Sequence, residues 1–247
     1  MSMNKKAVAM VGAIVLFAGY QFFEQAVGSL IGPDPVAPDW TAIAAWPGGE
    51  AEEVEAQPDP NRRITAIILD DSGSMRADIE AAKAAVTGAL DAMARTDRVS
   101  VLALNAGTVL PFSTVEEARA ALPRLLEPIY SDGGTPLTRS IVNAKALLAA
   151  EAARMRGFGT FRMIVTTDGQ ADDGEALDAA IEALAAATPI QLTTIGIGID
   201  GRHVLRRGDL GAFVDVANVA ALQRALEAAV AENANFTAIT DFGDEEG

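Results

Sequence analysis

From position 64 onward the chain alternates short apolar runs with stretches of helical periodicity, and this alternation limits the folds that it can adopt. Ile64–Leu69 (ITAIIL) is almost wholly apolar, as in a strand that is buried on both faces of a parallel sheet. Arg162–Thr167 and Ile190–Ile197 repeat this pattern, whereas Val115–Leu126 and Leu137–Met155 show helical spacing. Strands that alternate with helices predict an α/β fold, a doubly wound sheet with right-handed crossovers.

The other predicted elements complete the same alternation. The helices are Ala77–Met93, Glu175–Ala187 and Ala220–Ala231, and the strands are Arg98–Leu104, Thr108–Phe112 and Phe213–Val216. A tight turn at Gly107 predicts a hairpin between the two strands that flank it.

The charge and the residue composition exclude several classes of function. The formal net charge is -15, so the surface repels phosphate backbones and a nucleic acid is not expected as a partner. There is no cysteine, which excludes disulfides, thiolate metal sites and cysteine nucleophiles.

The N-terminal segment, residues 1–31, contains an apolar run from Ala7 to Tyr20 that follows two lysines. The longer stretch from Ala7 to Phe23 reaches the lower end of the length that a membrane-spanning helix needs. No basic residue follows Lys6 until Arg62, which predicts a cytoplasmic N-terminus. We therefore expect a single-pass transmembrane helix with the domain on the extracytoplasmic side, periplasmic or extracellular. A cleaved signal peptide and a buried core helix are the alternatives.

Three further segments follow the anchor. Residues 32–61 are rich in proline, and this composition predicts a linker. Residues 62–232 form the predicted globular domain, and residues 233–247 form an acidic tail.

Polar residues with metal-binding oxygens follow the predicted strands at three places. Asp70-Asp71-Ser72-Gly73-Ser74 follows the first strand, Gly133-Gly134-Thr135-Pro136 opens a helix, and Asp168-Gly169 follows a later strand. In a doubly wound sheet, ligands bind at the carboxyl ends of the strands, so these loops are expected to meet at one edge. Hydroxyl and carboxylate oxygens suit Mg²⁺, Mn²⁺ or Ca²⁺.

The set Asp70-x-Ser72-x-Ser74, Thr135 and Asp168 resembles the metal-ion-dependent adhesion site of von Willebrand factor type A domains. The resemblance covers roughly residues 62–232 and implies a Rossmann-like, mostly parallel sheet with one antiparallel edge strand. It implies that Ser72 and Ser74 bind the metal through their hydroxyls. Thr135, Asp70 and Asp168 are implied to act directly or through water, and a carboxylate from a protein partner to complete the coordination.

The same residues also have structural interpretations. Asp70 and Ser72 are suitable helix caps, and Asp168-Gly169 is a suitable turn. Four further carboxylates lie close in sequence to the expected metal ligands, and we expect them to rim the metal face and to influence partner choice. They are Asp71, Asp132, Asp172 and Asp173.

Three functions from different classes are compatible with this sequence. The first, which we favour, is a membrane-tethered module, not an enzyme, that binds a protein through Mg²⁺. The second is a subunit of an assembly coupled to an AAA+ ATPase, a role that other von Willebrand A-like domains have. The third is a Mg²⁺-dependent phosphohydrolase, which the sequence favours least: His203 is the only histidine and is expected at the surface, and no G-x-S-x-G or Walker motif is present.

Overall fold

The computed structural model describes residues 61–155, 157–199 and 201–231. The predicted N-terminal anchor, the linker up to residue 60 and the acidic tail lie outside the described residues. Among the helices that are described, none combines the length and the apolar character that crossing a membrane requires.

Six strands form one mixed sheet in the order β3-β2-β1-β4-β5-β6. All neighbouring strands are parallel except β2 and β3, which pair antiparallel at one edge. The sheet therefore confirms the predicted fold class and the predicted hairpin. The strands are β1 (Arg63–Leu69), β2 (Arg98–Ala103), β3 (Gly107–Thr114), β4 (Thr160–Thr167), β5 (Gln191–Ile197) and β6 (Ala212–Val216).

Five α-helices cover the two faces of this sheet. They are α1 (Ile79–Ala89), α2 (Val115–Leu126), α3 (Leu137–Arg154), α4 (Gly174–Ala187) and α5 (Leu222–Ala231). The predicted helix Ala77–Met93 is shorter than expected, because 3-10 turns at Gly73–Ala77 and Leu90–Ala92 flank α1.

The side chains of β1 alternate between two hydrophobic cores, which is why its sequence is apolar throughout. Ile67 and Leu69 lie in the core that α1, α2 and α5 cover. Ile64 and Ile68 lie in the core that α3 and α4 cover. The helix that follows β1 and the helix that follows β4 therefore lie on opposite faces, and the crevice between the ends of these two strands is a topological switch point.

Two arginines near the amino-terminal ends of β1 and β4, away from this crevice, bind the C-terminal end of α5. The Arg63 guanidinium donates to the Val230 carbonyl oxygen at 2.9 Å and forms an ion pair with the buried Asp97 at 2.6 Å. Arg162 also donates to the Val230 carbonyl, at 3.3 Å. These cations stabilise the negative end of the helix dipole and join α5 to β1 and β4.

Candidate metal centre

Asp70 is fully buried at the end of β1, and its contacts organise the loops after β1 and β4. One carboxylate oxygen accepts the backbone N–H of Ser72 at 2.9 Å, and the other accepts that of Asp168 at 3.3 Å. The backbone N–H of Asp70 donates to the hydroxyl of Thr166 at 3.2 Å. Asp70 does not cap the following helix; it joins the two strand ends that flank the switch point.

Two serine hydroxyls and a carboxylate form a continuous series of oxygens across this crevice. The Ser74 hydroxyl donates to Asp168 Oδ1 at 2.7 Å, and it lies 3.0 Å from the Ser72 hydroxyl. Since the Ser74 proton is directed at Asp168, Ser72 is the donor to Ser74. The 3-10 turn at Gly73–Ala77 presents both hydroxyls at one place, and neither serves as a helix cap.

Thr135 belongs to the loop before α3, and this loop is bonded to the other two. The backbone N–H of Gly73 donates to the Gly133 carbonyl at 3.0 Å, which joins the loop to that of β1. The backbone N–H of Asp172 donates to the Thr135 carbonyl at 3.2 Å, which joins it to the β4 loop. The structure thus brings together the three loops that the sequence predicts at one edge.

Asp71 does not belong to an exposed acidic rim, and that expectation is wrong for this residue. It is 1% exposed. Its Oδ1 accepts the backbone N–H of Asn105 at 2.7 Å and the Asn105 side-chain amide at 3.2 Å, and its Oδ2 accepts the N–H of Ala106 at 3.1 Å. Asp71 points away from Asp70 because successive residues of an extended chain face opposite sides. It fixes the loop after β2 to the loop after β1.

The other three acidic residues are exposed, and each also accepts a hydrogen bond from this edge of the fold. Asp132 accepts the N–H of Gly133 at 2.8 Å, Asp172 that of Thr135 at 2.8 Å, and Asp173 the hydroxyl of a threonine in α3 at 2.7 Å. These three carboxylates add negative charge to the edge and also shape its loops.

His203 is buried, which corrects the expectation of a surface residue. Its Nδ1 accepts the backbone N–H of Leu205 at 3.1 Å, so the proton of the neutral ring is on Nε2 and is donated to the Gly169 carbonyl at 2.9 Å. Burial lowers the pKa of His203, and the nearby Arg206 adds to this effect. The ring therefore supports the β4 loop as a neutral side chain.

Two residues of this edge carry no signal in the sequence. Asn105 donates to Asp71 and also to the Gly134 carbonyl at 2.9 Å, so its amide joins the loops after β1 and β2 to the loop before α3. The Thr166 hydroxyl lies within β4 and contacts the end of β1. A single asparagine after a strand and a threonine within one are both common in structural roles, and the sequence alone does not distinguish them.

The electrostatics of the crevice fit a cation. Burial raises the pKa of Asp168, the nearby Asp70 carboxylate raises it further, and the hydrogen bond from Ser74 opposes both. No described group of three or more acidic, histidine or cysteine side chains is arranged to hold a metal ion, so a metal here would depend on hydroxyl oxygens as well. Two carboxylates and neutral hydroxyls in one crevice match the oxygen ligands of hard divalent cations.

Comparison with known proteins gives one family. The family model described as the von Willebrand factor type A domain matches residues 66–244. A search of curated protein sequences finds no match.

Several solved structures share the fold. A von Willebrand factor type A protein from Catenulispora acidiphila has a TM-score of 0.60 and 24% identity over 69% of this chain and 42% of its own. The pilus adhesin SpaC from Lactobacillus rhamnosus GG, in its open conformation, has a TM-score of 0.55 and 15% identity over 71% of this chain and 30% of its own. The SpRpn10 VWA domain has a TM-score of 0.53 and 14% identity over 66% of this chain and 93% of its own. This chain therefore spans less than half the length of the first two structures, and at these identities the likeness concerns the fold.

Proposed function

The chain belongs to the von Willebrand factor type A domain family, and we propose that it is a protein-binding module that binds its partner through Mg²⁺. The ligands are Asp70, Ser72, Ser74, Thr135 and Asp168. Mn²⁺ and Ca²⁺ are the alternative ions, since all three prefer oxygen ligands. The observation that carries the proposal is the series of oxygens from the Ser72 hydroxyl through that of Ser74 to the Asp168 carboxylate, at 3.0 and 2.7 Å.

The charges of the proposed ligands favour a carboxylate as the partner's contribution. Only Asp70 and Asp168 are anionic, and the other three ligands are neutral hydroxyls. A divalent ion bound by this set keeps its attraction for a further anionic oxygen, such as that of a glutamate or aspartate side chain. These residues of the chain would hold the ion, and the partner would supply a further oxygen.

The described residues around the serines support binding over hydrolysis. A serine nucleophile needs a base, and the ring nitrogens of His203 are both engaged, one by Leu205 and the other by Gly169. The Ser74 hydroxyl donates to the Asp168 carboxylate and not to an imidazole, and the backbone N–H of Asp168 donates to Asp70. We therefore propose a function that is not enzymatic.

We also propose that the domain lies on the extracytoplasmic side of a membrane. Residues 1–31 would anchor the chain in a membrane, with the domain on the extracytoplasmic side, where it would meet proteins of that compartment or of a neighbouring surface. Protease protection in intact and permeabilised cells tests this. Cleavage of the domain in intact or osmotically opened cells is expected, whereas protection until the inner membrane is broken would favour the alternative of a subunit coupled to an AAA+ ATPase.

Metal uptake is tested by titrating Mg²⁺ into the full chain in detergent, with calorimetric detection. We expect one site per chain, and we expect Ser74→Ala to weaken it by at least about tenfold because a direct ligand is lost. Ser113→Ala is the matched control, since the Ser113 hydroxyl donates to a carbonyl within edge strand β3. Equal Mg²⁺ affinity of the two variants would contradict the ligand assignment.

Partner binding is tested by affinity capture from solubilised membranes with Mg²⁺ or with a chelator. Proteins that bind in Mg²⁺, and that are lost both with the chelator and with Asp70→Ala, would be the partners. Capture that is identical under all three conditions would contradict metal-dependent binding.

A further inference from the structure

A small cavity lies next to the candidate metal centre, on the side of the β1 loop that faces β2. Its volume is about 240 Å³, much more than the ~30 Å³ that one water occupies in the liquid. It admits a long side chain from another protein. The lining includes Asp71, Asn105, Ile129, Tyr130, Asp132 and Gly133.

The cavity and the metal centre share their walls. Asp71 stands between two proposed ligands in sequence, and its carbonyl accepts the backbone N–H of Asp132 at 2.9 Å. Gly133 accepts the hydrogen bond from Gly73, which lies between the two serines of the metal loop. A partner that reaches the metal therefore has neighbouring residues over this cavity.

The described residues that line the cavity carry negative charge and include no cationic side chain. Asp71 is buried, and its oxygens are met by three N–H groups, which are neutral. Asp132 is exposed at the mouth and accepts one backbone N–H. Within the described part of the chain, neither carboxylate forms an ion pair. Asp132 therefore presents its carboxylate directly to whatever enters the cavity, and the buried Asp71 adds only its negative potential.

An aromatic ring completes the wall. Tyr130 is 73% exposed, the largest exposure among the large hydrophobic residues described as exposed. An exposed tyrosine that lines the same cavity as the exposed Asp132 is suited to a cation, because the ring face attracts positive charge and the Asp132 carboxylate can accept its hydrogen bonds. An arginine satisfies both, since its planar guanidinium stacks on a ring and donates in a fork.

From these observations we propose that the cavity is a subsite for a basic side chain, an arginine or a lysine, of the same partner whose carboxylate reaches the metal. The inference rests on the proposed function, and it adds the kind of sequence that is recognised: an acidic residue with a basic residue close to it. A purely acidic partner segment would meet repulsion from Asp71 and Asp132. The pair of opposite charges thus supplies specificity that the metal alone does not.

The test uses synthetic peptides as probes. Each carries one glutamate in a glycine–serine background, with an arginine placed one to four residues to either side. Matched peptides carry citrulline, which has the shape of arginine without its charge. Binding to the full chain is measured in Mg²⁺ by fluorescence anisotropy at low and high salt.

In the wild type we expect the arginine peptide of one preferred spacing to bind at least about tenfold more tightly than its citrulline match, with an advantage that shrinks as salt rises. Asp132→Asn removes the negative charge at the mouth of the cavity. Tyr130→Phe removes only the hydroxyl of the tyrosine, and Tyr130→Ala removes its ring. The arginine advantage should fall in Asp132→Asn and in Tyr130→Ala, whereas Tyr130→Phe should keep most of it. Calorimetry should still show one Mg²⁺ site per chain in all three variants.

The outcomes separate this inference from the proposed function. Glutamate peptides that bind in a Mg²⁺-dependent way without preferring arginine over citrulline would overturn the cation subsite alone. A loss in Tyr130→Ala that is independent of salt and absent in Asp132→Asn would show an apolar subsite, which also overturns it. Absence of binding by every peptide in a chain that takes up Mg²⁺ overturns it too, and absence of Mg²⁺ uptake refutes the proposed function itself.

Discussion

We predict that replacement of Asp71 by alanine destabilises the fold, as expected of a buried structural residue and not of an exposed carboxylate on the rim of the metal face. The change removes the acceptors of two backbone N–H groups, those of Asn105 and Ala106, and of the Asn105 amide. A hydrogen bond to a charged group contributes about 1.5–3 kcal/mol, so the two backbone bonds alone amount to roughly 3–6 kcal/mol. Water can reach the exposed residues of this loop and offsets part of the loss. We therefore expect the free energy of unfolding to fall by about 2–4 kcal/mol.

Urea denaturation without divalent cations measures this directly. Asp132→Ala is the matched control, because Asp132 is exposed and accepts a single local N–H, and we expect it to change stability by about 0.5 kcal/mol or less. A loss of less than about 1 kcal/mol in Asp71→Ala, or a loss equal to that of the control, would refute the assignment of Asp71 as the residue that fixes the β2 loop.

Three further predictions concern stability. Arg63→Ala should destabilise the fold by about 3–5 kcal/mol in urea denaturation, because the buried Asp97 loses its ion-pair partner; an effect below about 1 kcal/mol would contradict this. Thr114→Ala should cost about 1 kcal/mol by removing the capping box of α2. The Thr114 backbone N–H, and after it the Thr114 hydroxyl, lower the pKa of Glu117 in the fold. The part of the cost that comes from the hydroxyl bond to the Glu117 carboxylate should therefore be complete above the ordinary pKa of a glutamate and be lost as the pH falls through the lowered value; a wholly pH-independent cost of Thr114→Ala would contradict this. Asp168→Asn should raise the midpoint of thermal unfolding of the metal-free domain, because burial and a neighbouring carboxylate oppose ionisation of Asp168 in the fold. It should also abolish the increase in this midpoint that Mg²⁺ gives the wild type, and a lower metal-free midpoint would contradict the prediction.

The sequence predicted the order and type of the strands and helices well where local signals and burial agree. Val115–Leu126 begins and ends as predicted, because Thr114 and Glu117 form a capping box immediately before an amphipathic run. The helix after β1 was predicted too long because its apolar spacing continues through turns that are 3-10 in the structure. Periodicity does not distinguish these two kinds of helix at their ends.

The sequence predicted which residues meet at the crevice, but it did not predict the residues that support them. The residues at the strand ends follow from the rule that ligands bind where parallel strands terminate. Asp71 was assigned to the surface by its charge, although alternation along the strand places it opposite Asp70. The burial of His203 depends on packing of its loop against the β4 loop, a contact between residues 34 apart that no local pattern encodes.

We propose that one divalent ion is held between the β1 loop and the loops before α3 and after β4. Anomalous diffraction from crystals of the protein grown with Mn²⁺ tests it most directly. We predict a single anomalous peak in contact with the hydroxyl oxygens of Ser72 and Ser74, on the side that faces Thr135 and Asp168. Ordered loops without a peak at this position, in crystals soaked at saturating Mn²⁺, would contradict the claim.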